Sequence, residues 1–447
     1  MERLIGILIA ILALGIMVTI HELGHYLVGR ALGFKIVEFM IFMGPKLFSW
    51  ERGGIKYSIR LIPLGAAVEF AGEYQPAEDE ADQALYEEEG WEPDDPGLFM
   101  NRPKRYRAAV LAAGSLANIL AGILIFFGLF AARGFTVPRL ADVPAGSQAA
   151  AAGLEKGDEL LRVDGDRIGT NLDAVYALYF AEESETIPVR VKNTDGTRVD
   201  VLLEPEQVTS YQIGITIDGS SESIQVIDVA DWQNGGSPVF QEGDRIIELD
   251  GVPVNSSTFG TELAAHGTAE VPVTIIRDGK EQVVHSSSRA IEGYTERGIL
   301  NMANKRSPLQ ALPYAFEYAW STVRGTVKSL GAMFAGQVSV QDSLTGPVGI
   351  VDMLSGVVSD ARIDWGIKFL ELLNMTALIM LALGLTNLLP IPLLDGNHLL
   401  LLLIEAIRGK PLSRRTQGII SAVGLVLIIG LFGLGLFVDF SRIINRQ

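Results

Sequence analysis

An apolar stretch from Leu4 to Ala31 carries His21, Glu22 and His25 in its second half. A carboxylate at the centre of a membrane helix costs roughly 2.5–3.5 kcal/mol, so a chain that keeps ionisable groups in such a run has a use for them. On a helix, positions i and i+4 lie one above the other. His21 and His25 therefore offer two imidazoles to one point, with Glu22 beside it. That is the H-E-x-x-H pattern: two zinc ligands and a carboxylate able to act on water at the metal. Two histidines at this spacing can also be satisfied core residues. The apolar setting argues against that, because each group there carries a desolvation cost.

The 447-residue chain is 48% hydrophobic and has no cysteine, so any zinc must be held by His and carboxylate. The net charge of −17 argues against nucleic acid as a partner. Four stretches, about 4–29, 108–132, 368–389 and 418–438, reach the ~20 apolar residues that a bilayer crossing needs. The first looks at a glance like a signal peptide, but it lacks a small-residue cleavage site and reads as a retained helix. Arg30, Lys35, Lys46, Arg102, Lys104, Arg105 and Arg107 lie near spans one and two, and Arg408, Lys410, Arg414 and Arg415 lie between spans three and four. The positive-inside rule puts both loops in the cytoplasm. Both termini and the 133–367 insert then lie outside, and the histidines sit near the cytoplasmic leaflet.

Residues 34–72 read as strands with a turn at Gly53-Gly54, either a plain hairpin or an edge that takes a substrate by strand addition. Residues 73–95 hold eleven acidic groups and no basic one, the mark of a solvated linker. The second span holds small residues (Ala113, Gly114, Ser115, Ala117) that permit close packing, and Asn118 as a polar group in the apolar run.

The insert repeats itself. Gly157-Asp158 and Gly243-Asp244 are offset by the same interval as Asp164-Gly165 and Asp250-Gly251. Hairpin signals follow at Asp195-Gly196 and Asp278-Gly279. The shared pattern resembles PDZ domains, which bind extended peptides at a strand edge. His266 and His285, in the second copy, read as surface or core residues. Residues 308–338 suggest an interfacial amphipathic helix, and "LTGPVGI" a Gly/Pro break.

A catalytic zinc needs a third protein ligand and an open position. The candidates are Asp395, His398, Glu371 and Glu405. Pro390 and Pro392 must interrupt the third span, and Asp395 sits at that break with Gly396 beside it, so Asp395 is favoured and His398 is second. Asn387 lies eight residues before Asp395, a spacing that puts it on the same helical face. Its amide could hold a substrate carbonyl or oxyanion.

With H-E-x-x-H in the first span, "NLLPIPLLDG" in a later one and a PDZ-like insert between them, the chain resembles the site-2 protease family of intramembrane zinc metalloproteases. Four spans and two tandem modules resemble its sigma-E-regulator branch. The resemblance implies zinc held by His21, His25 and Asp395, with Glu22 as general base. It implies that Asn387 positions substrate and that Gly65, Val68 and Phe70 lie in a strand that pairs with it. Implied substrates are single-span membrane proteins already trimmed by another protease, such as an anti-sigma factor, and remnant signal peptides. The resemblance also implies that the PDZ pair acts as a size filter. Two departures, Ser115 where the family commonly has Pro and Asn397 where it often has Gly, bear on substrate range.

The expected fold is thus a multi-pass α-helical membrane protein with four transmembrane helices, a membrane-associated β-hairpin region and two tandem PDZ-like α+β domains. Residues 1–72 hold the first span and the strands. Residues 73–107 form an acidic cytoplasmic linker and basic juxtamembrane segment, and 108–132 the second span. PDZ-like domains occupy 136–212 and 213–292, the interfacial helix 306–345, and the last two spans 346–447. The expected location is the bacterial inner membrane, with the PDZ-like domains periplasmic. The competing class is a non-catalytic membrane adaptor that binds extracytoplasmic peptides. An adaptor has no need of buried ionisable residues.

Overall fold

A computed structural model describes residues 2–72, 90–92, 94–218, 224–338, 346–360, 364–410 and 414–445. Most of the acidic 73–95 segment lies outside the described residues. The chain divides into two compact units: Met1–Val137 with Gly169–Tyr176 and Asn304–Gln447, and Pro138–Ile168 with Ala177–Ala303.

The first unit is built on helices. In chain order they are α1 (Glu2–Ala31) and α2 (Lys104–Arg133). A short α3 (Asn171–Phe180) and, in the second unit, α4 (Phe259–His266) follow. Then come α5 (Pro308–Phe334), α6 (Pro347–Ser359), α7 (Trp365–Asn387), α8 (Asp395–Arg408) and α9 (Arg414–Asn445). Among the described residues, four stretches are long and apolar enough to cross a membrane: Arg3–Ala31, Lys104–Arg133, Trp365–Asn387 and Gly418–Asp439. They fall where hydropathy puts them.

Glycines set how closely these helices approach. A Cβ on Gly24 would lie 2.4 Å from the Ala113 carbonyl oxygen, and one on Gly384 would lie 2.7 Å from that of Ser115. Without a hydrophobic drive inside lipid, such small-residue contacts are what brings helices together. The buried side of α2 runs through Val110, Ala113, Gly114, Ser115, Asn118, Gly122 and Phe126, the three-and-four spacing of one helical face. Asn118, the polar group of this run, has no hydrogen-bond partner for either amide atom among the described residues.

At the "LTGPVGI" break the chain is extended at Gly346 and α6 starts at Pro347. Pro347 occupies its first turn, where a missing N–H costs nothing. Gly346 and Gly349 donate their amides to the Asp439 carboxylate at 2.9 and 2.8 Å, and Lys368 Nζ donates to the Val358 carbonyl oxygen at 2.7 Å. Each end of α6 thus meets the charge that complements its dipole.

Strands β1 (Ile36–Arg52) and β2 (Ile55–Phe70) turn at Gly53-Gly54, as expected. Each bends on itself, near Phe42 and Gly44 (φ 67° and 86°) and at Gly65 (φ 73°). Residues 38–41 consequently have partners on both sides, 66–69 on one and 56–59 on the other, while 46–52 pair with 55–60. The hairpin is a four-ribbon sheet with 66–70 along one edge.

The second unit contains the repeat. One sheet runs β16-β3-β4-β6-β7 (Met302–Lys305, Phe135–Leu140, Glu159–Val163, Ile187–Lys192, Arg198–Leu203), with β5 (Asp166–Arg167) beside β4. The other runs β14-β13-β11-β10-β9 (Lys280–Ser287, Glu270–Arg277, Arg245–Leu249, Ile224–Val229, Ile215–Asp218), with β12 (Val252–Pro253) beside β11. The equivalent positions do equivalent work. Asp164-Gly165 and Asp250-Gly251 all have positive φ in two-residue turns, the geometry that favours Asp-Gly. Asp158 accepts from the Glu155 amide and Asp244 from the Gln241 amide. The first sheet takes its last strand from 302–305, beyond the 136–212 stretch. Strands β8 (Gln207–Gln212) and β15 (Arg289–Tyr294) pair outside both sheets.

Candidate metal centre

Three atoms from two distant parts of the chain converge. His25 Nε2 lies 3.2 Å from His21 Nε2. Asp395 Oδ2 lies 3.1 Å from His21 Nε2 and 3.4 Å from His25 Nε2. A tetrahedral zinc with arms of about 2.0–2.1 Å separates its ligand atoms by ~3.3 Å. The triangle has that size.

The chemistry of the donors fits a cation as well. His25 Nδ1 lies 2.7 Å from the Val110 carbonyl oxygen, an acceptor only, so Nδ1 carries the hydrogen. In the neutral ring Nε2 is then a lone pair, and it faces a carboxylate oxygen. Such atoms crowd together favourably around a positive ion, and a ring N–H fixed by a carbonyl is the usual support of a metal-bound imidazole. His21 Nδ1 is buried without a partner among the described residues.

Local sequence explains the placement. The i, i+4 spacing on α1 brings the imidazoles together edge to face, their rings nearly perpendicular at 82°. Gly114 makes room: a Cβ there would lie 2.2 Å from His25 Nε2. Pro390 and Pro392 end α7 at Asn387 and let α8 begin at Asp395. Gly396 is required at that start, since a Cβ would lie 2.2 Å from the Leu389 carbonyl oxygen. Ser115 Oγ donates to Asp395 Oδ2 at 3.4 Å.

Glu22 joins the group, with ligand-capable atoms of His21, Glu22 and His25 all within 4.8 Å of one another. Its Oε2 accepts from the Val68 amide at 3.1 Å. The β2 edge and the carboxylate are thus tied directly. Asn387 Nδ2 lies 3.5 Å from His21 Nε2. The same-face argument for Asn387 and Asp395 does not hold, because the chain is broken between them at 388–394; both nonetheless reach His21. Gly65 forms the bend of β2, where its positive φ suits glycine. Phe70 is buried, its ring 5.8 Å from Phe34 and 5.6 Å from Phe99. The other acidic candidates for a third ligand are engaged elsewhere, Glu371 with Arg133 and Glu405 with Arg107. His398 lies one turn beyond Asp395 on α8.

Sequence reasoning missed the Val110 carbonyl, the space at Gly114 and the Val68–Glu22 contact. A backbone group leaves no residue-type signal. Gly114 did, as part of the small-residue run, but with no sign of what it faces.

Known proteins share this arrangement of sequence. The model for peptidase family M50 matches residues 9–431. The chain belongs to peptidase family M50. It is 31% identical to the regulator of sigma-E protease RseP of Escherichia coli, over 97% of this chain and 98% of that protein. It is 29% identical to protease RseP of Yersinia pestis, over 97% and 98%. A Rhizobium meliloti protein named as a zinc metalloprotease is 29% identical over 93% and 91%. The chain is a zinc metalloprotease and an integral membrane protein.

Proposed function

We propose that this protein cleaves single-span membrane proteins inside or at the edge of the bilayer after a first protease has trimmed them, with His21, His25 and Asp395 as zinc ligands and Glu22 as general base. The observation that carries the reading is the triangle of two imidazole nitrogens and one carboxylate oxygen, 3.1–3.4 Å apart, with Glu22 beside it. Zinc bound there would act as a Lewis acid, bringing water to a pKa near 7 and polarising the scissile carbonyl. Glu22 accepts the proton of the attacking water and returns it to the leaving amine. The Val68 amide fixes the Glu22 oxygen during both transfers. Asn387, whose amide approaches His21, is placed to donate to the carbonyl oxygen of the substrate as negative charge develops there.

A helix in lipid hides its carbonyls in its own hydrogen bonds, so a substrate must unwind before it can be cut. The 66–70 edge of the β1–β2 sheet supports strand addition as the way to replace those bonds. Residues 66–69 pair with 38–41 of β1 along one side, and the Val68 amide is directed to Glu22. Phe70 serves this edge through packing with Phe34 and Phe99. The two repeat modules read as PDZ-like domains of about residues 136–212 and 213–292, the first completed by 302–305, and act as a size filter outside the membrane. The helix α5 lies in the interface, where Leu309, Phe316, Trp320 and Phe334 are exposed at helical spacing. Positive charge beside the spans supports an inner-membrane orientation with the metal centre near the cytoplasmic leaflet. By analogy with the sigma-E regulators, the substrate class is a trimmed anti-sigma factor or a remnant signal peptide. Reconstitution with a truncated single-span substrate, with and without a chelator, tests the proposal: cleavage abolished by chelation and restored by zinc supports it, and chelator-resistant cleavage refutes it.

A further inference from the structure

The helix that carries Asp395 has one substantial neighbour among the described elements, α2. Two points join them. At the start of α8, Ser115 Oγ meets Asp395. Ten residues on, about 15 Å along the helix, Glu405 meets Arg107 and Lys104. Arg107 Nη2 donates to Glu405 Oε1 at 2.8 Å. Lys104 Nζ donates to the Glu405 carbonyl oxygen at 3.0 Å and lies 3.5 Å from Oε1. The Arg107 and Glu405 side chains are 7% and 12% exposed. Between these two points on α2 lies Val110, whose carbonyl oxygen orients His25. One helix therefore aligns both halves of the ligand set.

A buried ion pair is a poor device for stability alone. Well-packed apolar residues of the same volume often do as well or better, whereas fixing register is the best-attested use. Register is what this site needs. The loop before Asp395 holds two prolines and a positive φ at Leu393 (74°), so it sets no helical phase between α7 and α8. A slide of α8 on α2 by one residue would move Asp395 about 1.5 Å, far outside the roughly 0.2 Å tolerance of a metal bond.

We propose that the Arg107–Glu405 ion pair, assisted by Lys104, is a positioning element that locks α8 in register on α2 and so holds Asp395 at the two imidazoles. This rests on the reading of Asp395 as a zinc ligand. The test is zinc affinity of the full-length protein in detergent, by competition with a chromophoric chelator, beside its melting temperature. Glu405→Gln and Arg107→Met each weaken zinc by about 10–100-fold, the usual effect of losing an outer support. The swap Arg107→Glu with Glu405→Arg recovers affinity to within about threefold, since the two changes are coupled. Excess zinc restores kcat in the single variants and leaves KM unchanged, which a merely structural loss would not show. Wild-type zinc affinity in either single variant overturns the proposal, as does a folded swap that still binds zinc weakly. Should both single variants fail to fold, Arg107→Lys decides: its shorter reach weakens zinc if the lock is real, and wild-type affinity overturns it. Asp395→Asn runs alongside. If it leaves zinc binding intact, the ligand assignment fails; if it weakens zinc while the pair variants do not, only the lock fails.

Discussion

Gly114→Ala is a one-methyl change that strikes the metal centre without removing a polar group. The new Cβ would lie 2.2 Å from His25 Nε2, 2.7 Å from Cδ2 and 2.7 Å from Cε1. Ordinary contact needs more than 3.4 Å, so the ring must retreat by about 1 Å, against the roughly 0.2 Å that a Zn–N bond tolerates. The ring has little freedom to retreat, because its Nδ1 is held by Val110 on the same helix as Gly114. A misplacement of about 1 Å in a catalytic group costs on the order of 100-fold in rate, or about 2.7 kcal/mol of barrier. The assay is cleavage of a truncated single-span substrate in detergent, with zinc content measured on the same preparation. Gly128→Ala, on the same helix with no heavy atom within 4 Å of its Cβ, is the control. It keeps full activity and gains up to about 1 kcal/mol of helix stability. If Gly114→Ala retains wild-type zinc content and rate, the placement of His25 against α2 is wrong.

Other perturbations separate the roles. Glu22→Gln keeps zinc bound and abolishes cleavage; elemental analysis beside the activity assay checks this, and residual activity removes Glu22 as the base. Asp395→Asn lowers zinc occupancy, and unchanged metal content would pass the third-ligand role to another residue. Val68→Pro deletes the amide that holds the Glu22 oxygen and cannot donate to a ladder, so kcat falls by at least tenfold, on the order of one charge-assisted hydrogen bond, with zinc content unchanged. In the second module, burial alone would raise the Asp244 carboxyl, but Arg277, at 2.6 Å, holds it below the usual carboxylate range. A depressed carboxylate contributes stability that is present above its unfolded pKa and lost as pH falls through the folded value. Hydrogen exchange at β13 and β14 should therefore rise on acidification, and Arg277→Met should cost about 3–5 kcal/mol by stranding a buried charge; a flat pH profile would contradict the pairing.

The candidate site was legible because its residue types fall at fixed helical spacing. His21, Glu22 and His25 follow from the period of one helix, and Asp395 from two prolines that forbid the helix to continue. The repeat was legible for a similar reason, since Asp-Gly turns leave the same mark twice. What stayed hidden depends on groups without a residue signature or on partners far apart in the chain. The Val110 carbonyl and Val68 amide belong to the backbone. Arg107 reads as a topology signal, and only the fold shows it buried against Glu405. Bends at Phe42, Gly44 and Gly65 turn a hairpin into a four-ribbon sheet, a tertiary event that alternation alone does not encode. The spacing of Asn387 and Asp395 misled, because helical phase means nothing across the break that Pro390 and Pro392 impose.

The most direct measurement is zinc-edge X-ray absorption on the full-length protein loaded with one zinc, compared with Asp395→Asn and His25→Ala. The account predicts a first shell of two imidazole nitrogens and oxygen at about 2.0–2.2 Å, losing an imidazole in His25→Ala and changing its oxygen shell in Asp395→Asn. A shell of oxygen atoms alone, or one identical in all three proteins, would contradict it.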